Sequence, residues 1–287
     1  MSNALQTTVI LQLICPDRPG LVSELSTWIS NNNGNIRHAD HHTDEGAGLF
    51  LSRLEWDLNG FKLSRQAIQV AIVALANSLE GKAELHFSDE LPRVAIFVSK
   101  QSHCLLDLLW RSNTQELKMN VPLVISNHNH LQKSCKQYNV DYKFIPVNKL
   151  DKSISEQVIL DTLSEYNIDL IVLAKYMQIL SSNFLDSFPN IINIHHSFLP
   201  AFKGAKPYHR AWDRGVKLIG ATAHYVTKDL DDGPIIEQTI AHVTHRDEVN
   251  DLIRKGRDTE RLALARALRL HLRRQVMVYE GRTAIFA

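Results

Sequence analysis

Asn193, His195 and Asp231 are the residues of this 287-residue chain whose types and spacing could do chemistry together. Asn193-Ile194-His195 closes a short apolar run that begins at Ile191. Side chains alternate along a strand, so the amide and the imidazole share one face while Ile194 points into packing. Two N–H donors held this way suit a reaction in which a carbonyl oxygen gains negative charge. The carboxyl end of a strand is also where open α/β sheets place their ligands. Asp231 lies in Thr227-Lys228-Asp229-Leu230-Asp231-Asp232-Gly233-Pro234, a loop between two apolar runs. A carboxylate brought beside the pair would orient a nucleophile and carry its proton. Acidic turn residues usually bond only their own backbone, and that is the reading of Asp229 and Asp232. His196 is either a group facing substrate or a histidine packed at a strand end. The residues leave both open.

Strands and helices alternate around this stretch. Apolar runs at 93–99, 121–126, 143–147, 168–174 and 190–195 read as buried parallel strands. Helical spacing runs through Cys104, Leu105, Leu108 and Leu109, then over 131–138 and 153–166. The repetition predicts right-handed crossovers and a doubly wound, mostly parallel α/β sheet. Longer antiparallel strands are expected at 218–226 and 235–243, an amphipathic helix over about 247–273, and a terminal hairpin over 276–285. Pro207 suits the first turn of a short helix through Trp212.

A smaller unit precedes this one. Its predicted order is a strand at 8–14, a helix at 21–31, strands at 36–43 and 49–58, a helix at 63–79 and a strand at 83–87. That is the ferredoxin-like βαββαβ motif. Gly34 is the expected left-handed residue after the first helix. The polar, proline-bearing Ser88-Asp89-Glu90-Leu91-Pro92 divides the chain into domains 1–90 and 91–287.

Asn193-x-His195 followed by Leu230-Asp231-x-Gly233-Pro234 resembles the folate-dependent formyltransferase family, across essentially all of 91–287. The resemblance implies that family's α/β fold, 10-formyltetrahydrofolate as the folate substrate, and catalysis by Asn193, His195 and Asp231. It also implies substrate binding by Met177, Gln178, Ile179 and Leu180, with His196 beside them. Two departures separate transfer to an amine from transfer to water. Ser99-Lys100-Gln101-Ser102-His103-Cys104 has no glycine, so a phosphate-bearing acceptor lacks the usual cradle of backbone N–H groups. His196 stands where the transferases that resemble this chain usually carry proline. Both point to hydrolysis, releasing formate and tetrahydrofolate in one-carbon metabolism and purine synthesis, with no cofactor and no metal. The alternatives are transfer to an amine acceptor and a non-catalytic folate or amino-acid sensor. Partial burial against the pterin is expected to raise the Asp231 carboxyl toward the working pH range. Lys203 and Lys206 are candidates for meeting the carboxylates of the folate tail.

A strand, then Asp17-Arg18-Pro19-Gly20, then a helix resembles the ACT-type regulatory domain. That implies an amino-acid effector held at Asp17, Arg18, Pro19 and Gly20, and a homo-oligomer made by pairing these domains. Turn chemistry alone accounts equally for Pro19 and Gly20.

Composition narrows the rest. Lys+Arg 32 against Asp+Glu 31 exerts no global pull toward nucleic acid or an anionic membrane. The basic C-terminal helix has interleaved acids and no aromatic platforms, as a solvated face does. No apolar run reaches the length of a membrane span. Met1 to Thr8 lacks the basic start and apolar core of a signal peptide. Cys15, Cys104 and Cys135 are scattered, which suits small buried residues in a reducing cytoplasm. His38, His41 and His42 read as strand histidines. His128 with His130, and His242 with His245, have ligand-like spacing but no completing carboxylate.

Overall fold

Leu21, Leu25 and Ile29 recur at helical spacing, and all three are buried on the inner face of α1 (Leu21–Asn31). The computed structural model of the chain describes residues 7–148, 151–200 and 207–287. Contacts divide the chain into two units, one ending at Leu91 and taking in Phe286–Ala287, the other spanning Pro92–Ile285.

In the first unit α1 follows β1 (Thr8–Pro16) and precedes β2 (Ile36–Asp44) and β3 (Leu49–Asp57). Helix α2 (Arg65–Ser78) and β4 (Lys82–Phe87) complete βαββαβ. The sheet is antiparallel in the order β2-β3-β1-β4. Ser64 starts α2 by accepting a hydrogen bond from the Ala67 N–H. Trp56, Leu13 and Leu54 from the strands pack against Leu25, Ile68 and Ile72 from the helices. The left-handed residue after α1 is Asn33, φ 62, rather than Gly34. Asparagine adopts that conformation more readily than most residues with a Cβ, and its amide is held by a bond to the distant Gly60 carbonyl.

The second unit begins with β5 (Arg93–Val98), α3 (His103–Asn113), β6 (Asn120–Ser126), α4 (Gln132–Lys136) and β7 (Asp141–Phe144). It continues with α5 (Lys152–Glu165), β8 (Leu170–Leu173), α6 (Ser182–Ser187), β9 (Ile191–His195) and α7 (Pro207–Asp213). It closes with β10 (Leu218–Tyr225), β11 (Ile235–His242), α8 (Val249–Leu272), β12 (Val276–Tyr279) and β13 (Arg282–Ile285). Seven strands form one sheet in the order β11-β10-β9-β8-β5-β6-β7. Pairing is parallel from β9 through β7, and antiparallel where β10 and β11 join.

Alternate residues of β5 enter two cores, as a strand buried on both faces requires. Val94, Ile96 and Val98 meet α3 and α8, while Ala95 and Phe97 meet α5 and Phe184 of α6. Helices therefore cover both faces of a doubly wound sheet, and the strand order reverses between β5 and β8. Strand β7 forms at Asp141–Phe144, ahead of the predicted 143–147, because it takes its register from β6. Helix α6 is too short to leave a periodic signal. Ser181 caps it by accepting the Phe184 N–H. Among the described residues, no helix is long and apolar enough to cross a membrane.

Candidate active site

Strand β9 lies between β8 and β10, with Asn193 opposite Leu173 on one side and His224 on the other. Ile194 is buried in the core, so Asn193 and His195 share the opposite face. Both line a cavity of about 620 Å³, and so does Asp231. The chain after His195 is tied to β10 by Thr222, whose hydroxyl donates to the Ser197 carbonyl at 2.9 Å and accepts the Leu199 N–H at 3.0 Å.

Asp231 reaches the cavity from the loop between β10 and β11 in a left-handed conformation, φ 55. The next glycine makes that loop possible. A Cβ on Gly233 would lie 1.8 Å from the Tyr225 carbonyl oxygen. This close approach, with the Tyr225 N–H bonded to the Pro234 carbonyl at 2.9 Å, draws the loop onto the end of β10. Asp231 Oδ1 then stands 3.2 Å from His195 Nδ1.

The hydrogen bond from His195 pulls the Asp231 carboxyl below its ordinary value, against the opposing effect of burial, and the neighbouring histidines add to the pull. The expected upward shift is therefore reversed. A carboxylate beside imidazoles stays ionised because its attraction to them outweighs its partial loss of water. An ionised Asp231 keeps the His195 proton on Nδ1. His195 Nε2 is buried and has no partner among the described residues. Such an orphan costs about 1–3 kcal/mol unless something bonds to it, which marks a position built for a ligand atom or water.

His224 belongs to the site although the sequence did not single it out. Its Nδ1–H donates to the Tyr225 carbonyl at 2.8 Å, which leaves Nε2 as an acceptor. Burial lowers its pKa and keeps that acceptor neutral. The Asn193 amide donates to it at 3.2 Å, so the nitrogen end of Asn193 is fixed and its second N–H is left for a ligand. Only the pairing of β9 with β10 makes the two residues neighbours. His196 stacks on His195, ring centroids 4.5 Å apart and planes at 23°.

Met177, Gln178, Ile179, Leu180 and His196 line the same cavity. The turn that carries the first four is anchored at both ends. The Met177 N–H donates to Ser99 Oγ at 3.0 Å. The Ser181 N–H donates at 2.9 Å to Glu156, a buried carboxylate that also accepts the Ser181 hydroxyl. Met177, Ile179 and Leu230 are largely exposed, giving the cavity an apolar mouth. Lys203 and Lys206 lie outside the described residues.

Among the described residues, His103, Cys104 and Glu260 form the cluster close enough to hold a metal ion, with ligand atoms within 4.8 Å of one another. The donor set does not fit one well. Both Glu260 oxygens are already engaged, by His103 Nε2 at 2.5 Å and by Lys175 Nζ at 3.0 Å. Burial drives the Cys104 thiol well above its ordinary pKa, away from the thiolate a metal needs. His128 and His130 sit edge to face, and His130 bonds the Lys100 carbonyl at 3.0 Å.

In the first unit Asp17–Gly20 forms the turn from β1 into α1, with Gly20 at φ 92 in the N-cap position and no side chain capping the helix. Arg18 pairs with Glu24 at 2.7 Å, and the Asp17 N–H bonds the Gly48 carbonyl at 2.9 Å. His38, His41 and His42 are exposed on β2, with His41 stacked on Phe50.

The Formyl transferase family matches residues 92–268, and the ACT domain family matches residues 9–68. Together with the seven-stranded sheet and its cavity, these matches define a formyl transferase-type α/β protein carrying an N-terminal ACT domain. A formyltetrahydrofolate deformylase of Synechocystis sp. is 56% identical over 98% of this chain and 99% of its own length. The crystal structure of a formyltetrahydrofolate deformylase from Pseudomonas syringae pv. tomato matches with a TM-score of 0.96 and 40% identity, covering 99% of this chain and 96% of that one. The chain belongs to the formyltetrahydrofolate deformylase family. The glycinamide ribonucleotide transformylase 1 of Symbiobacterium toebii is more distant, with a TM-score of 0.66 and 28% identity over 71% of this chain and 98% of that one.

Proposed function

We propose that the protein hydrolyses 10-formyltetrahydrofolate to formate and tetrahydrofolate, with Asn193, His195 and Asp231 as its catalytic residues. The observation that carries this reading is the convergence of the three side chains on one cavity, with His195 and Asp231 paired at 3.2 Å. The second Asn193 N–H and the Nε2–H of a His195 imidazolium, paired through its Nδ1–H with Asp231, stabilise the oxygen of the formyl group as water adds. One such donor is typically worth about 10²–10³ in rate. Asp231 orients the water and accepts its proton, which passes to N10 as the carbon–nitrogen bond breaks. Because Asp231 and His195 handle the proton, the reaction as drawn requires no metal and no further cofactor. The apolar mouth made by Met177, Ile179 and Leu230 suits the flat pterin, with Gln178, Leu180 and His196 around it.

Residues 91–287 make up the catalytic domain and residues 1–90 the regulatory one in this reading. The uncapped start of α1 and the Asp17–Gly20 turn suit the carboxylate of an amino-acid effector. Pairing of the first domains would make a homo-oligomer. The three free, buried cysteines suit a cytoplasmic setting.

The deciding experiment incubates the full chain with 10-formyltetrahydrofolate and no amine, with and without single amino acids. Stoichiometric formate and tetrahydrofolate are expected. Turnover that appears only when an amine acceptor is supplied overturns the reading. Rates unmoved by every amino acid remove the effector site alone.

A further inference from the structure

Lys175 lines the cavity, but its charged end pairs with a buried carboxylate outside the cavity lining. It follows β8 at the point where the strand order reverses, and it is 7% exposed although it forms part of the cavity wall. Its backbone is left-handed, φ 66, a conformation that costs a residue with a Cβ about 1 kcal/mol or more. The chain is nevertheless held there. The Ser99 N–H donates to the Lys175 carbonyl at 3.1 Å, and the preceding Ala174 N–H donates to the Phe97 carbonyl at 2.8 Å. Glycine would be the unstrained choice, so the side chain itself is what the site retains.

That side chain leaves the cavity for Glu260 of α8, which is 2% exposed and does not line the cavity. Lys175 Nζ lies 3.0 Å from Glu260 Oε1, and Tyr208 donates to the same oxygen at 3.1 Å. His103, from the start of α3, holds the other oxygen. Tyr208 reaches the carboxylate only because residue 256 is glycine, where a Cβ would lie 2.1 Å from its hydroxyl. Side chains from α3, α7 and α8 thus converge with Lys175 on one carboxylate. Lys175 therefore lines the cavity holding Asn193, His195 and Asp231 and ends on the Glu260 cluster, whose other members do not line it.

We infer that Lys175, locked by Glu260, determines the acceptor: its stem closes the cavity wall at the carboxyl ends of β5 and β8, so water reaches the formyl carbon and an amine does not. This deepens the hydrolytic reading of the site and rests on it. Shortening residue 175 opens a recess floored by the Glu260 cluster and deep enough for a small primary amine. In the opened site the amine nitrogen bonds to the formyl carbon, the carbon–N10 bond breaks, and one amine proton passes to N10. The products are an N-formyl amine and tetrahydrofolate, with no oxidant or further reactant.

The test compares Lys175→Gly/Glu260→Gln with the unaltered protein, each given 10-formyltetrahydrofolate and glycinamide at mildly alkaline pH. Glycine relieves the left-handed strain, and glutamine avoids leaving a buried carboxylate without its lysine. Formylglycinamide and formate are counted by mass spectrometry. The ratio of amine product to formate should rise at least tenfold in the double variant. A folded variant with an unchanged ratio overturns the inference. An arm independent of the variant's folding uses the unaltered protein with hydroxylamine and glycinamide. Hydroxylamine, close to water in size, should compete at least tenfold better than glycinamide. Equal competition by the two overturns the inference just as firmly. Failure of the hydrolytic reading looks different, because the unaltered protein then releases no formate on its own.

Discussion

Replacing Asp231 by asparagine removes one charge from the cavity at nearly constant volume, and its consequences can be worked out from two contacts. The carboxylate holds His195 Nδ1 at 3.2 Å and lies 3.9 Å from His224 Nε2. Asparagine keeps the shape but cannot accept the water's proton or stabilise a charged His195. Loss of a general base costs about 10²–10⁴ in rate, or roughly 3–5 kcal/mol of transition-state stabilisation. The mouth residues Met177, Ile179 and Leu230 are untouched, so folate binding should stay within about threefold, less than 1 kcal/mol. Single-turnover formate release and binding of a non-hydrolysable folate separate the two quantities. A pH series adds a second readout. The Asp231 carboxyl is held below its ordinary value, so its contribution to stability is complete above that value and disappears as pH falls through the folded one. The difference in melting temperature between the parent and Asp231→Asn should therefore narrow on acidification. Turnover within tenfold of the parent, or a large rise in KM with kcat unchanged, would refute the assignment of Asp231 to proton transfer.

Three further outcomes are expected. Glu260→Gln should destabilise the fold by about 3 kcal/mol at neutral pH, because a carboxyl lowered from 4.5 to about 2 carries ~1.4 kcal/mol per pH unit. Burial alone would push that carboxyl up, and the His103 bond and Lys175 charge outweigh it, so the deficit in denaturant melts should be complete above pH 4.5 and shrink toward about 2. His224→Phe leaves Asn193 without its acceptor, and kcat should fall about 10–100-fold with KM little changed; an unaffected kcat would show that Asn193 holds its orientation unaided. Gly233→Ala drives a methyl into the Tyr225 carbonyl, so Asp231 should be displaced, with activity falling more than tenfold and stability by about 1–3 kcal/mol on thermal melting.

Much of this molecule is a local property of its sequence. Period-2 and period-3.6 patterns mark elements because burying one face of a strand or helix is a demand each segment meets by itself, and α1 and α8 formed where their apolar stripes require. Asn193 and His195 share a face for the same local reason, the alternation of a strand, and Asp231 was visible as a carboxylate in an Asp-Gly-Pro loop. The family resemblance supplied their common purpose. Short elements such as α6 and the displaced β7 were not legible, because a capping serine or a neighbour's register decides them rather than periodicity.

The tertiary structure decided the electrostatics and the neighbours. Burial predicted a raised Asp231 carboxyl, but the fold sets it beside His195, and the direction of the shift reverses. His224 lies 31 residues from Asn193 and becomes its partner only through the antiparallel register of β9 and β10. Lys175 and Glu260 stand 85 residues apart in a chain with ordinary charge balance, and nothing local joins them. Coulombic and hydrogen-bonding energies depend on separations of a few ångströms and on the water excluded around them. Those quantities exist only once the sheet has brought distant segments together.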